Sequence, residues 1–168
     1  MLILSIPAVQ SRLAKIATNY LNKEFNTSIV VKKIDLSLLG SVQLKGIEIR
    51  DHHQDTLIFV KNLKTSLLNA KRVLDNNVNL GDATLSGAHF YMKTYKGEEE
   101  DNMSIFLKSF EDDKPQKDST PFVLNSQNIY IDGLTFELKD ENKNNHLQFA
   151  AYNAGTSVQD FSLVGPNV

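Results

Sequence analysis

The apolar positions of this chain follow two rhythms. Near the start, Val9, Leu13, Ile16, Tyr20 and Leu21 recur at helical spacing, while Gln10, Arg12, Lys15, Asn19, Asn22 and Lys23 take the other faces. Pro7 sits where a first helical turn tolerates it. This spacing predicts an amphipathic helix within residues 1–25, its apolar stripe packed on a core or, alternatively, lying on a membrane. After Asn26 the rhythm shortens. Ile29, Val30 and Val31 open an extended stretch, and strand signals punctuated by Gly, Asn and Asp dominate from there on. Residues 51–55 read as a turn between strands at 47–50 and 57–60. Residues 140–145 read as a turn between strands at 134–138 and 147–149. An exposed loop is expected at 114–118, after the acidic pair Asp112 and Asp113, and short helices near 67–74 and 104–110.

Three of the extended stretches share one irregularity. Val42, Leu44, Gly46, Ile47 and Ile49 form the first copy; Ala83, Leu85, Gly87, Ala88, Phe90 and Met92 the second; Ile129, Ile131, Gly133, Leu134, Phe136 and Leu138 the third. In each, apolar residues alternate, a glycine takes the next place, and the alternation resumes one residue late. Such a shift turns the later side chains to the opposite face of a flat strand. Glycine at the shift fits a bulge whose extra residue restores the facing, or else a tight turn. The glycines Gly46, Gly87 and Gly133 lie 41 and 46 residues apart, a spacing that suits a repeating multi-strand unit. No blade motif of a propeller accompanies them. The expected fold is mainly β: an N-terminal α-helix, then at 26–168 a curved, mostly antiparallel sheet of repeats forming an open groove. A closed α+β sandwich, with the helix over one face, is the alternative.

Composition narrows the function. At 168 residues, with 41% apolar and 23% charged residues, the chain is long enough to bury a core unaided. A net charge of −2 offers no basic field for nucleic acid, and the absence of cysteine excludes disulfides, thiolate metal sites and cysteine nucleophiles. Residues 1–4 are apolar but far short of the roughly 20 needed to cross a bilayer; they read as an ordinary terminus or as the stub of a membrane anchor. Asp51, His52, His53 and Asp55 are a grouping of metal-ligand types. Adjacent histidines on a strand point to opposite faces, and no third histidine is near in sequence, so a solvated turn and no metal are expected. The acidic run at 98–101 reads as a solvated loop lacking calcium-loop spacing. There is no phosphate-binding glycine loop, no nucleophile elbow and no His-Glu-x-x-His, and no cofactor is expected.

Several segments together resemble the N-terminal region of the AsmA-like family, in its TamB (translocation and assembly module) branch. They are residues 6–10 and the helix through 20–21, 25–29, 39–51, 55–57, 80–87 and 94–98, with weaker, repeat-like similarity from 121 onward. The order of helix, strand, glycine shift and Asp-rich turn carries the resemblance; no catalytic motif does. The resemblance implies a Gram-negative envelope protein, anchored in the inner membrane by an N-terminal helix missing here, with a periplasmic β-groove lined by apolar side chains. It also implies a role in phospholipid movement to the outer membrane and in outer-membrane protein assembly. Members of the family are usually much longer.

Three readings follow. The first is a non-enzymatic, lipid-handling groove lined by Val42, Leu44, Ile47, Ile49, Leu85, Phe90, Ile129, Ile131, Leu134, Phe136 and Leu138, with phospholipid acyl chains as partners. Taken singly, these residues fit a closed core or a seat for the first helix equally well. The second is a scaffold or chaperone pairing an open sheet edge with an outer-membrane barrel protein. The third, an enzyme, would need a buried, converging polar cluster.

Overall fold

The computed structural model describes residues 9, 11–12, 22, 28–37, 39–75, 77–109, 121–151 and 156–167, with the backbone alone at 74, 121–122 and 156–167. Of the predicted first helix, Val9, Ser11, Arg12 and Asn22 are described and are helical; its other residues, and the loop at 114–118, lie outside the described residues.

Eight strands follow: β1 (Ser28–Leu36), β2 (Ser41–Arg50), β3 (Thr56–Ser66), β4 (Asn77–Leu80), β5 (Ala83–Thr94), β6 (Pro121–Asp140), β7 (Asn145–Ala151) and β8 (Thr156–Asn167). A 3-10 turn, Arg72–Asp75, precedes β4, and one α-helix, α1 (Asn102–Lys108), follows β5. Asp101 caps α1 by accepting from the Ser104 N–H at 2.9 Å. The strands form a single curled, open half-barrel sheet. A closed sandwich is not the architecture.

The sheet runs β1-β2-β3-β5-β6. β4 and β5 lie in line along one side of the 20-residue β6, and β7 and β8 share its other side. Pairing is antiparallel except where β4 and β5 run parallel to β6. That parallel register has a constant offset of 46: Asn79 faces Asn125, Ala83 faces Ile129 and Thr94 faces Asp140. The second and third sequence copies are therefore direct neighbours. β2, carrying the first copy, runs in their direction, with the opposed β3 between.

One level of the sheet is exceptional. Counting from paired residues on either side, Lys32, Gly46, Lys61, Gly87 and Gly133 stand side by side across β1, β2, β3, β5 and β6. Lys45 pairs Asn62 and Ile47 pairs Val60, so no residue is gained or lost, yet the pairing skips the level between. The same skip recurs at every interface from β1 to β6. The expectation of an extra residue in single strands is thus corrected: every strand steps out of the ladder together, making one shared crease. The three glycines take φ of 62°, 64° and 74°, where an L side chain costs about 1–2 kcal/mol. At Gly46 a Cβ would also sit 2.8 Å from Lys32 Cδ, and at Gly87 it would sit 3.1 Å from Lys61 Cβ. Two lysine stems lie across two glycines, their charged heads left to water.

Two asparagines stand in for missing strands. The Asn22 amide accepts from the Ile29 N–H at 2.6 Å and donates to its carbonyl at 3.0 Å, clipping the outer edge of β1. Asn102, 1% exposed, does the same for β5 beyond the reach of β3. It accepts from the Lys93 N–H at 2.8 Å and donates to the Tyr91 carbonyl at 3.1 Å.

Candidate functional site

Ten of the eleven predicted groove residues occupy four levels, two on each side of the crease. On one side, Leu36, Val42, Thr65, Ala83 and Ile129 share a level, and Ile34, Leu44, Leu63, Leu85 and Ile131 the next. Across the crease, Val31, Ile47, Val60, Ala88, Leu134 and Ala151 share a level, followed by Ile29, Ile49, Ile58, Phe90, Phe136 and Phe149. Leu138 continues the pattern opposite Leu147. Directly paired residues present their side chains to the same face, so each level is a continuous stripe, apolar throughout except at Thr65.

The two pairs of levels have different surroundings. Val42 is buried in a cluster with Val9, Leu67, Val73 and Val78, against which Leu36, Leu44, Leu80 and Leu124 pack. The 3-10 turn supplies Val73, fully shielded, so this is the closed end of the sheet. Beyond the crease, the open end, Leu57 is fully shielded and α1 lies against β5, but no second buried apolar cluster forms among the described residues. Val60 and Ala88 are buried there by their neighbours, but Ile47, Ile49, Phe90, Leu134, Phe136 and Leu138 are half-buried. Phe149 stacks on Phe136 at 5.1 Å and is still 50% exposed, beside Leu147 at 55%. Leu44, Leu85, Ile129 and Ile131 are half-buried as well, leaving Val42 as the one fully covered member of the predicted set.

The sequence reading missed the β1, β3 and β7 members of these stripes. The signal was present: Ile58, Val60, Leu63 and Thr65, and Ile29, Val31, Ile34 and Leu36, carry the same late-resuming alternation, with Lys61 and Lys32 in the glycine's place.

The rim of the open end is polar and tightly bonded. Asp51, 5% exposed, accepts at Oδ1 from the N–H groups of His53 and Asp55, and at Oδ2 from Asn102 at 2.8 Å. The Tyr95 hydroxyl lies 2.6 Å from Asp51 Oδ2 and 2.8 Å from Asp55 Oδ2, with one proton to donate between them. Burial, then the two carboxylates, push the Tyr95 ionisation well above its ordinary value. The Tyr95 hydroxyl, followed by the Lys93 ammonium at 3.2 Å, holds the Asp55 carboxyl below the usual carboxylate range. Lys93 also lies 4.0 Å over the Tyr95 ring. Asn142 joins the third loop by donating to the carbonyls of Tyr95 and Glu98.

His52 and His53 belong to this rim, and the geometric premise applied to them in the sequence does not hold. They lie on a turn, not a strand, and both rings reach Glu98: His52 Nε2 is 2.9 Å from Oε2 and His53 Nε2 is 2.6 Å from Oε1. His53, then His52, hold the Glu98 carboxyl below its ordinary range.

No helix among the described residues is long and apolar enough to cross a membrane. No protein-family model, curated protein or solved structure matches the chain.

Proposed function

We propose that this chain is a non-enzymatic segment of an AsmA/TamB-like envelope protein whose creased sheet carries phospholipid acyl chains through the periplasm. On this reading the shared crease restarts the alternation in all five strands at once, so that both pairs of apolar levels serve one trough. The observation that supports it is the pair of apolar stripes running across the open end of a half-barrel sheet, half-buried in most members, buried at Val60 and Ala88 and exposed at Phe149. Removing one methylene from water contributes about 0.8 kcal/mol, so one long chain amounts to about 10 kcal/mol or more. A dry stripe offsets that with no reactive group, and the residues required are those present.

The test is mass spectrometry of the purified chain for co-bound phospholipid, with a photo-crosslinking residue at Phe136 or Ile49 to locate it. Lipid adducts at Phe136 and none at Lys64 are expected. Lipid-free protein, or adducts spread evenly over both positions, would count against the trough.

A second reading draws on β7. Its residues are exposed except at Ala151, and among the described residues it pairs with β6 alone. Such an edge suits strand addition by an outer-membrane barrel segment during assembly. Crosslinks from Gln148 to a barrel protein, with no lipid adduct at Phe136, would favour it over the lipid trough.

A further inference from the structure

We propose that His52, His53 and Glu98 form a binding site for a zinc-like transition-metal ion. The three ligand atoms lie within 4.8 Å of one another, supplied by two segments, the turn after β2 and the loop after β5. Zinc–ligand bonds of about 2.0–2.1 Å put tetrahedral ligand atoms roughly 3.3 Å apart, so an ion enters if the carboxylate backs away by about half an ångström. Two imidazoles and one carboxylate match the borderline character of zinc, cobalt or nickel and not the all-oxygen preference of calcium or magnesium. Three protein ligands leave a further position for water. His52 and His53 are exposed and Glu98 is half-buried, so the site opens to solvent.

Both ligand segments are fixed without the ion. Asp51, held by Asn102, closes the turn through the His53 and Asp55 N–H groups. The His53 ring packs on Tyr95 at 3.8 Å. On the other side, the Glu98 N–H donates to the Tyr95 carbonyl at 3.0 Å and the Glu98 carbonyl accepts from Asn142 at 2.8 Å. The lost orientational freedom of the ligands is therefore supplied by the fold, which favours tight binding. No residue of the apolar stripes takes part, so the site stands apart from the lipid reading.

The test uses the full chain, free of affinity tags and stripped with chelator, titrated with cobalt and read by its visible d–d absorption, then back-titrated with zinc. One equivalent is expected, with binding weakened at least tenfold in Glu98→Gln and in His53→Ala. His146→Ala, which removes an exposed histidine beside Glu137, should leave binding unchanged. Zinc should raise the melting temperature of the unmodified chain and not that of Glu98→Gln. A chain that gives no cobalt band at micromolar metal overturns the site. So does a band that survives both ligand substitutions or disappears with His146→Ala. Because the first of these readouts needs no variant, misfolding of a mutant leaves the proposal open to refutation.

Discussion

The closed and open ends of this sheet are held by different forces. At the closed end, Val42, Leu67, Val73 and Val78 exclude water from one another, and the strands are stabilised by burial. At the open end the apolar levels are left half-covered, and order comes from the rim, where Asp51, Tyr95 and Asn102 satisfy one another out of water. A sheet can therefore keep a shape without filling it. Hydrogen bonds at the perimeter fix the strand ends, and the apolar surface between them stays available.

Substitutions at the two ends break or sharpen that contrast. Leu67→Ala hollows the closed cluster and should lower stability by about 2–4 kcal/mol in urea unfolding. A loss below about 1 kcal/mol would mean that this end is looser than its burial implies. Tyr95→Phe keeps the ring at the rim and deletes its hydroxyl from two carboxylates, for an expected loss of about 1.5–3 kcal/mol. Hydrogen exchange should quicken first in the loops at 51–55 and 95–101, while the closed end stays protected. Gly46→Ala acts on the crease between the two ends. It should destabilise by about 1–2 kcal/mol and exceed Gly133→Ala, where the nearest atom to an added Cβ is 3.9 Å away and only the backbone angle is strained.

Acid gives a gentler, local contrast. Asp55 and Glu98 have depressed pKa values in the folded chain, so their contribution is present above the unfolded values of about 3.9 and 4.3 and is lost as pH falls through the lower folded ones. Below about pH 4 the rim should loosen while the apolar cluster holds, seen as faster proteolysis at 51–55 but not at 67–73. Simultaneous loss at both ends would show that they unfold as one unit. Phe149→Ser should have the smallest effect on stability, within about 0.5 kcal/mol, because its side chain is half in water already. Its sharper readout is co-purifying phospholipid, expected to fall relative to the unmodified chain.

Much of the sheet was legible because alternation is local: β2, β3, β5, the second half of β6 and part of β7 announce their own period, and the late resumption after Gly46, Gly87 and Gly133 is visible without a partner, whereas β4, β8 and the first half of β6 went unread. What the sequence concealed is non-local. Glycine spacing gives the offset between two copies but not that β5 and β6 lie in parallel contact at that offset. Lys32 and Lys61 occupy the same level as the glycines with an ordinary sign of φ, so nothing in their chemistry marks them. The meeting of His52 and His53 at Glu98 depends on a turn bringing adjacent side chains together across 46 and 45 residues, a relation that strand alternation misjudges. Asn22 and Asn102 are similar. A polar residue beside a strand looks like solvent-facing filler until its amide is seen completing a backbone.

That borrowed amide at Ile29 sets one border of the sheet apart from the other. At Ile29 that border is occupied, since a newcomer strand would have to evict Asn22 before it found a donor and an acceptor there. The opposite border, at β7, carries no such clip among the described residues. The two flanks of the ribbon therefore ask different things of an approaching strand, and at Ile29 a single side chain makes that difference.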